Sequence, residues 1–101
     1  SLHLTGLVLL GVKPPHHFPL IFYRKDCADM QLQTEQINED SLAKAKALLI
    51  TGTGLSTVSM QKTTMAVLEK ARYTETKVVF DLDFRPVLWG LTTPGNGELR
   101  Y

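Results

Sequence analysis

Little in this chain would tie it to a membrane, a disulfide framework or a charged polymer. Its 101 residues include one cysteine, Cys27. No internal disulfide can form, which fits a reducing compartment and makes the cytosol the default location. No apolar run approaches the roughly 20 residues needed to cross a bilayer, and the first residues lack the basic region and cleavage pattern of a signal peptide. Charge is not concentrated either. Eleven basic residues stand against ten acidic ones, for a formal net charge of +1. No long run of like charge marks a nucleic-acid surface, so no nucleic acid and no membrane is expected as a partner.

What is present is an ordinary globular composition, 44% hydrophobic, at a length suited to one small domain. The chain opens at Ser1 inside an apolar segment, "LHLTGLVLLGV", that reads as a strand already under way, and it stops at Tyr101 just after a turn. An internal piece of a longer protein is expected.

Residues 4 to 12, "LTGLVLLGV", and 19 to 24, "PLIFYR", are apolar runs separated by "KPPHHF", whose prolines cannot join a ladder. The pattern predicts strand, loop, strand. Alternation places Leu20, Phe22 and Arg24 on one face of the second strand, with Ile21 and Tyr23 on the other. A turn and a short strand near Met30 to Leu32 are expected next. Asn38 reads as an N-cap before Glu39, Asp40 and "SLAKAKA", predicting a helix of about ten residues. "ALLIT" is then a strand, and "GTGLST" leads into a helix from Val58 to Arg72 with Thr64, Val67, Leu68 and Ala71 on one face. "KVVFDLD" is the next strand. Strand, helix, strand with short connections is a βαβ unit with parallel strands, and the uninterrupted "ALLI" and "VVF" suit strands covered on both faces. The expected fold class is α/β, with a doubly wound sheet.

Ligands of open α/β sheets gather at the carboxyl ends of the strands, here "TGTGLS" and "DLDFRP". Continued at period two, Asp81, Asp83 and Arg85 would share a face, with neighbours roughly 6.6 Å apart. Two readings stand. Arg85 holds an anionic group through its planar fork while the carboxylates orient it, or the trio is an ion-pair network at a strand end beside a packed Trp89. Arg24 likewise reaches a ligand or makes a surface ion pair. "TGTG" lacks a following Lys-Ser or Lys-Thr pair and reads as a sharp strand-to-helix turn, and "PGNGE" at 94 to 98 reads as an ordinary turn. His16 and His17 are adjacent, would diverge on a strand, and suit a solvated loop better than a metal site. Cys27 has no activating partner near it in sequence and is expected to be inert packing. Met30, Met60 and Met65 are expected to fill gaps in a core.

Taken together, "FPLIFYRKDCADMQL", "AKALLITGTGLS" and "KVVFDLDFRPVLWGL", in that order and at these separations, resemble the ribokinase-like (PfkB-type) carbohydrate kinases. The resemblance is strongest to the branch that phosphorylates 5-dehydro-2-deoxygluconate in inositol catabolism. It implies a fragment of a Rossmann-type three-layer αβα domain with part of a small β lid. Residues 1–35 would belong to the lid and 36–101 to the central βαβ part of the kinase domain. It also implies ATP and Mg²⁺ as cofactors of the full-length enzyme, a sugar-acid substrate, and homo-oligomers formed through lid strands. By that match Arg24 and Arg85 bind the carboxylate or the transferring phosphate, and Phe22 or Tyr23 packs on the sugar chain. Asp83 stands where relatives often carry Asn, and Asp81 supports Arg85. The family's base is the aspartate of a G-A-G-D motif, absent from this sequence, so no catalytic residue is assigned and the fragment is expected to be inactive alone. The resemblance leaves open 2-keto-3-deoxygluconate kinase, fructokinase and a non-catalytic strand-pairing module.

Overall fold

The computed structural model describes residues 2–13, 15, 16 and 18–91. The expected turn at 94 to 98, and His17, lie outside the described residues. The chain divides into two compact units, residues 1–29 with 85–101, and residues 30–84.

In the first unit, β1 (Leu7–Leu10) pairs antiparallel with β2 (Leu20–Tyr23) in the register Leu7 to Tyr23 through Leu10 to Leu20. Gly11 N–H donates to Pro19 O at 2.8 Å, extending the pairing one step beyond the strands. Burial on β2 follows the alternation: Leu20 and Phe22 are half-buried, Ile21 and Tyr23 exposed, and Arg24 continues the half-buried side. All four residues of β1 are exposed. Past β2 the chain turns at Asp26, whose φ of 51° lies in the left-handed region, and Ala28 N–H donates to Leu4 O at 2.8 Å. Cys27 is buried there, its thiol 3.5 Å from Tyr23 O and 3.6 Å from Lys25 O.

The second unit is a βαβ crossover with a short helix before it. No strand forms near Met30; a single 3-10 turn, Ala28–Met30, replaces it. The polar residues on either side offer no apolar face for a ladder to bury. Helix α1 (Glu39–Lys44) starts where Asn38 Oδ1 accepts from Ser41 N–H at 2.8 Å, with Glu39 and Asp40 at its positive end and Lys44 at its negative end. It has six residues, not about ten, because Ala45 already adopts extended angles so that β3 (Ala47–Thr51) can begin two residues later. Helix α2 (Val58–Tyr73) is capped by Thr57, whose hydroxyl accepts from Met60 N–H at 3.3 Å. It ends without glycine: Glu75 takes φ 57°, and Thr76 N–H donates back to Ala71 O at 3.0 Å, the long bond of a Schellman end.

β3 and β4 (Lys77–Asp81) are parallel, with Leu48 opposite Val78 and Thr51 opposite Asp81. The core is the contact of Leu42, Val67 and Ala71, with Ile37 and Leu48 packed around it. Thr64, Val67 and Ala71 are buried and Leu68 half-buried, so α2 turns the expected face inward. Met65 does not fill a gap; it lies on the outer side of α2 at 59% exposure. Val78, Val79 and Phe80 remain about half exposed in this chain, so the "VVF" run is not covered on both faces here.

Lys70 on α2 reaches Glu39 on α1, Nζ to Oε1 2.7 Å. The hydrogen bond from Lys70, and then its charge, hold the Glu39 carboxyl below its ordinary value. A carboxyl whose pKa is lowered by folding adds stability that is complete above the unfolded value and lost as pH falls through the folded one. Glu39 is open to solvent, so the effect is small and screened by salt. Glu39→Gln should slightly lower the thermal midpoint at neutral pH and low salt, with the two proteins converging in acid. A difference that persisted in acid would contradict the pairing.

Candidate functional site

Because β3 and β4 are parallel, their carboxyl ends lie at one edge, and the polar residues of the second unit meet there. Asp81 closes β4. Its Oδ1 accepts from Asp83 N–H at 3.1 Å, which bends the chain, and Asp83 follows with φ 31°. Aspartate tolerates this left-handed region better than most residues. The expected shared face of Asp81, Asp83 and Arg85 is therefore not formed by strand alternation. Period two ends at Asp81, and the reason is this turn, followed by Pro86, which has no N–H for a ladder.

The Asp83 carboxylate points to the end of β3, where Thr53 Oγ1 donates to its Oδ2 at 3.3 Å. Thr53 sits in the 3-10 turn Gly52–Leu55, the "TGTG" stretch read from sequence as a sharp turn. That turn is fixed from two sides. Ser56 Oγ donates to Thr53 O at 2.7 Å, and Thr64 Oγ1 on α2 donates to Gly54 O at 2.9 Å. Gly52 is buried, and a Cβ there would collide with the backbone of Leu82.

Arg85 belongs to the first unit, together with the turns that follow it. Leu88 N–H donates to Arg85 O at 2.9 Å, Leu91 N–H to Pro86 O at 3.0 Å, and Gly90 supplies the left-handed φ of 71° that ends the turn. Arg85 and Trp89 are both half-buried.

Arg24 follows β2 with its guanidinium in an ion pair with Asp29, the surface-pair alternative left open by the sequence. Both line an open cavity of about 440 Å³ with Thr5, Gly6, Val8 and Ala28. Phe22 shares the half-buried side of β2 with Arg24, while Tyr23 is 55% exposed on the other side. Two residues escaped the sequence reading: Asp29, five positions after Arg24 across a left-handed turn, and Thr53, inside a stretch read only for its glycines. Neither spacing carries a signal on an ideal helix or strand. Among the described residues, no three His, Cys, Asp or Glu side chains converge as metal ligands would.

No protein-family model matches the chain. It is 37% identical over 87 residues to the 5-dehydro-2-deoxygluconokinase of Halalkalibacterium halodurans, a match covering 86% of this chain and 26% of that protein. It is 40% identical over 85 residues to the enzyme of that name from Geobacillus kaustophilus, covering 84% and 25%. Among solved structures, a fructokinase from Xylella fastidiosa matches with a TM-score of 0.81 at 25% identity, over 88% of this chain and 27% of that one. The chain thus spans about a quarter of the length of the curated relatives it matches. Its sequence blocks and its α/β fold agree on one likeness: the chain is similar to a segment of the ribokinase-like (PfkB-type) carbohydrate kinases.

Proposed function

We propose that this chain is the lid-and-core segment of an ATP-dependent sugar-acid kinase that phosphorylates 5-dehydro-2-deoxygluconate in the cytoplasm. The observation that carries the reading is the identity, over more than four-fifths of the chain, with proteins bearing that name. The β1–β2 hairpin is the piece of lid, and residues 36–101 are part of a three-layer αβα domain. The rest of that domain would cover the apolar surface of Val78, Val79 and Phe80.

In this reaction the substrate hydroxyl oxygen bonds to the γ-phosphorus as the bond to the ADP oxygen breaks, and a base takes the hydroxyl proton. Positioning and charge neutralisation supply most of the acceleration. In this segment Arg24 and Arg85 hold the carboxylate or the transferring phosphate, and Phe22, on the side of Arg24, packs on the sugar chain more readily than Tyr23. Asp83, held by Thr53, accepts from a sugar hydroxyl. Asp81 acts by shaping the turn that sets Asp83. The base, ATP and Mg²⁺ belong to the full-length protein; a crystal structure of the Xylella fastidiosa fructokinase has bound ATP.

Comparing phosphorylation of 5-dehydro-2-deoxygluconate, 2-keto-3-deoxygluconate and fructose by the full-length protein tests the substrate. Preference for either of the last two would replace it. The hairpin is also proposed to pair with a second copy of the chain, because all of β1 is exposed and apolar, 44% exposed at Val8 and more at its neighbours. Light scattering should then show a dimer, and a monomer across a wide concentration range would refute that pairing.

A further inference from the structure

We infer that Asp29 is the positioning residue for Arg24, fixing the direction in which the guanidinium is presented to the carboxylate of the sugar acid. The inference rests on the proposed role of Arg24. A guanidinium recognises a carboxylate through a planar fork, so its value depends on the orientation of that plane. An unrestrained arginine loses much of it to rotamer freedom.

The structure supplies the restraint through an ion pair and an anchored backbone. Asp29 pairs with the guanidinium. Gly6 lies beside the pair: a Cβ built there would lie 3.4 Å from Arg24 Cγ, 3.5 Å from Nε and 3.7 Å from Asp29 Oδ1, in ordinary contact with both partners. The backbone carrying Asp29 is tied to the start of the chain by the bond from Ala28 N–H to Leu4 O. All three residues line the same cavity of about 440 Å³. The Arg24 side chain is 23% exposed and that of Asp29 46%, so the pair stands at the wall of an open pocket and not in a sealed core. There Asp29 can hold Arg24 while a ligand enters, and its charge leaves the pair neutral, so that attraction of the substrate comes from the direction of the fork and not from bulk positive charge.

The test measures steady-state kinetics of the full-length kinase with 5-dehydro-2-deoxygluconate and ATP varied separately. Asp29→Ala should raise KM for the sugar acid about fivefold, the scale for restraining a partly exposed ion pair, with kcat and the KM for ATP nearly unchanged. Asp29→Glu, which keeps the carboxylate, should recover most of the loss. Gly6→Val, which would crowd both Arg24 and Asp29, should raise the same KM. If Asp29→Ala leaves that KM unchanged, or if both KM values rise together with a fall in thermal midpoint, Asp29 is not a positioning residue. Arg24→Ala separates the two readings: an unchanged KM for the acid there removes Arg24 itself from the site, whereas a raised KM with no effect at Asp29 overturns only the present inference.

Discussion

Replacing Gly52 by alanine is expected to destabilise the full-length protein by about 3 kcal/mol, the upper part of the range for overpacking a closed site. The new Cβ would fall on the carbonyl oxygen of Leu82, with the Leu82 carbonyl carbon at 3.1 Å and Asp83 O at 3.3 Å. Because all three are backbone atoms, no side-chain rotation relieves the collision. The ends of β3 and β4 would have to separate, and the bond from Thr53 to Asp83 would loosen with them. Gly54→Ala is the matched comparison. Its Cβ would meet only the hydroxyl of Thr64, at 3.3 Å, and the effect should be well under half as large. Denaturant midpoints of the two variants decide the matter. A Gly52→Ala protein as stable as the parent would mean that the strand ends do not approach as closely as described.

Removing the Arg85 guanidinium should have the largest effect on activity. In the proposed full-length sugar-acid kinase, Arg85→Ala is expected to lower kcat/KM on the order of 100-fold, the scale for losing a group that stabilises charge in the transition state. Arg85 is half-buried and set by the turn through Pro86 and Leu88, so its backbone position should survive the change. Arg85→Lys should recover little, since an ammonium cannot reproduce a two-pronged contact. Unchanged turnover and KM in the alanine variant would remove Arg85 from the site and leave it as a structural residue of the turn.

Much of this arrangement is legible in the sequence where a regular period lasts long enough to be read. The α2 face of Thr64, Val67 and Ala71 recurs at helical spacing over two turns, and the structure buries it. The β2 alternation of Phe22 against Tyr23 is short, yet it is enforced by pairing with β1. The errors fall where tertiary demands interrupt a local preference. "SLAKAKA" favours helix throughout, but the strand that follows claims its last residues, and α1 stops at Lys44. Met65 has the composition of a core residue and the position of a surface one. At the strand end, extrapolating a period of two past Asp81 fails because the Asp81 carboxylate bonds the backbone of Asp83 and ends the extended geometry. The partners Asp29 and Thr53 were illegible for a related reason. Arg24 meets Asp29 across an irregular turn, and Thr53 meets Asp83 across 30 residues of chain, and no helix or strand period encodes either distance.

The most direct test of the account is an ATP-dependent phosphotransfer assay with 5-dehydro-2-deoxygluconate as acceptor, run on the full-length protein containing this segment and on the 101-residue chain side by side. The expected result is phosphorylated sugar acid from the longer protein and none from the segment. No transfer to this acceptor by the longer protein, or transfer by the segment alone, would contradict it.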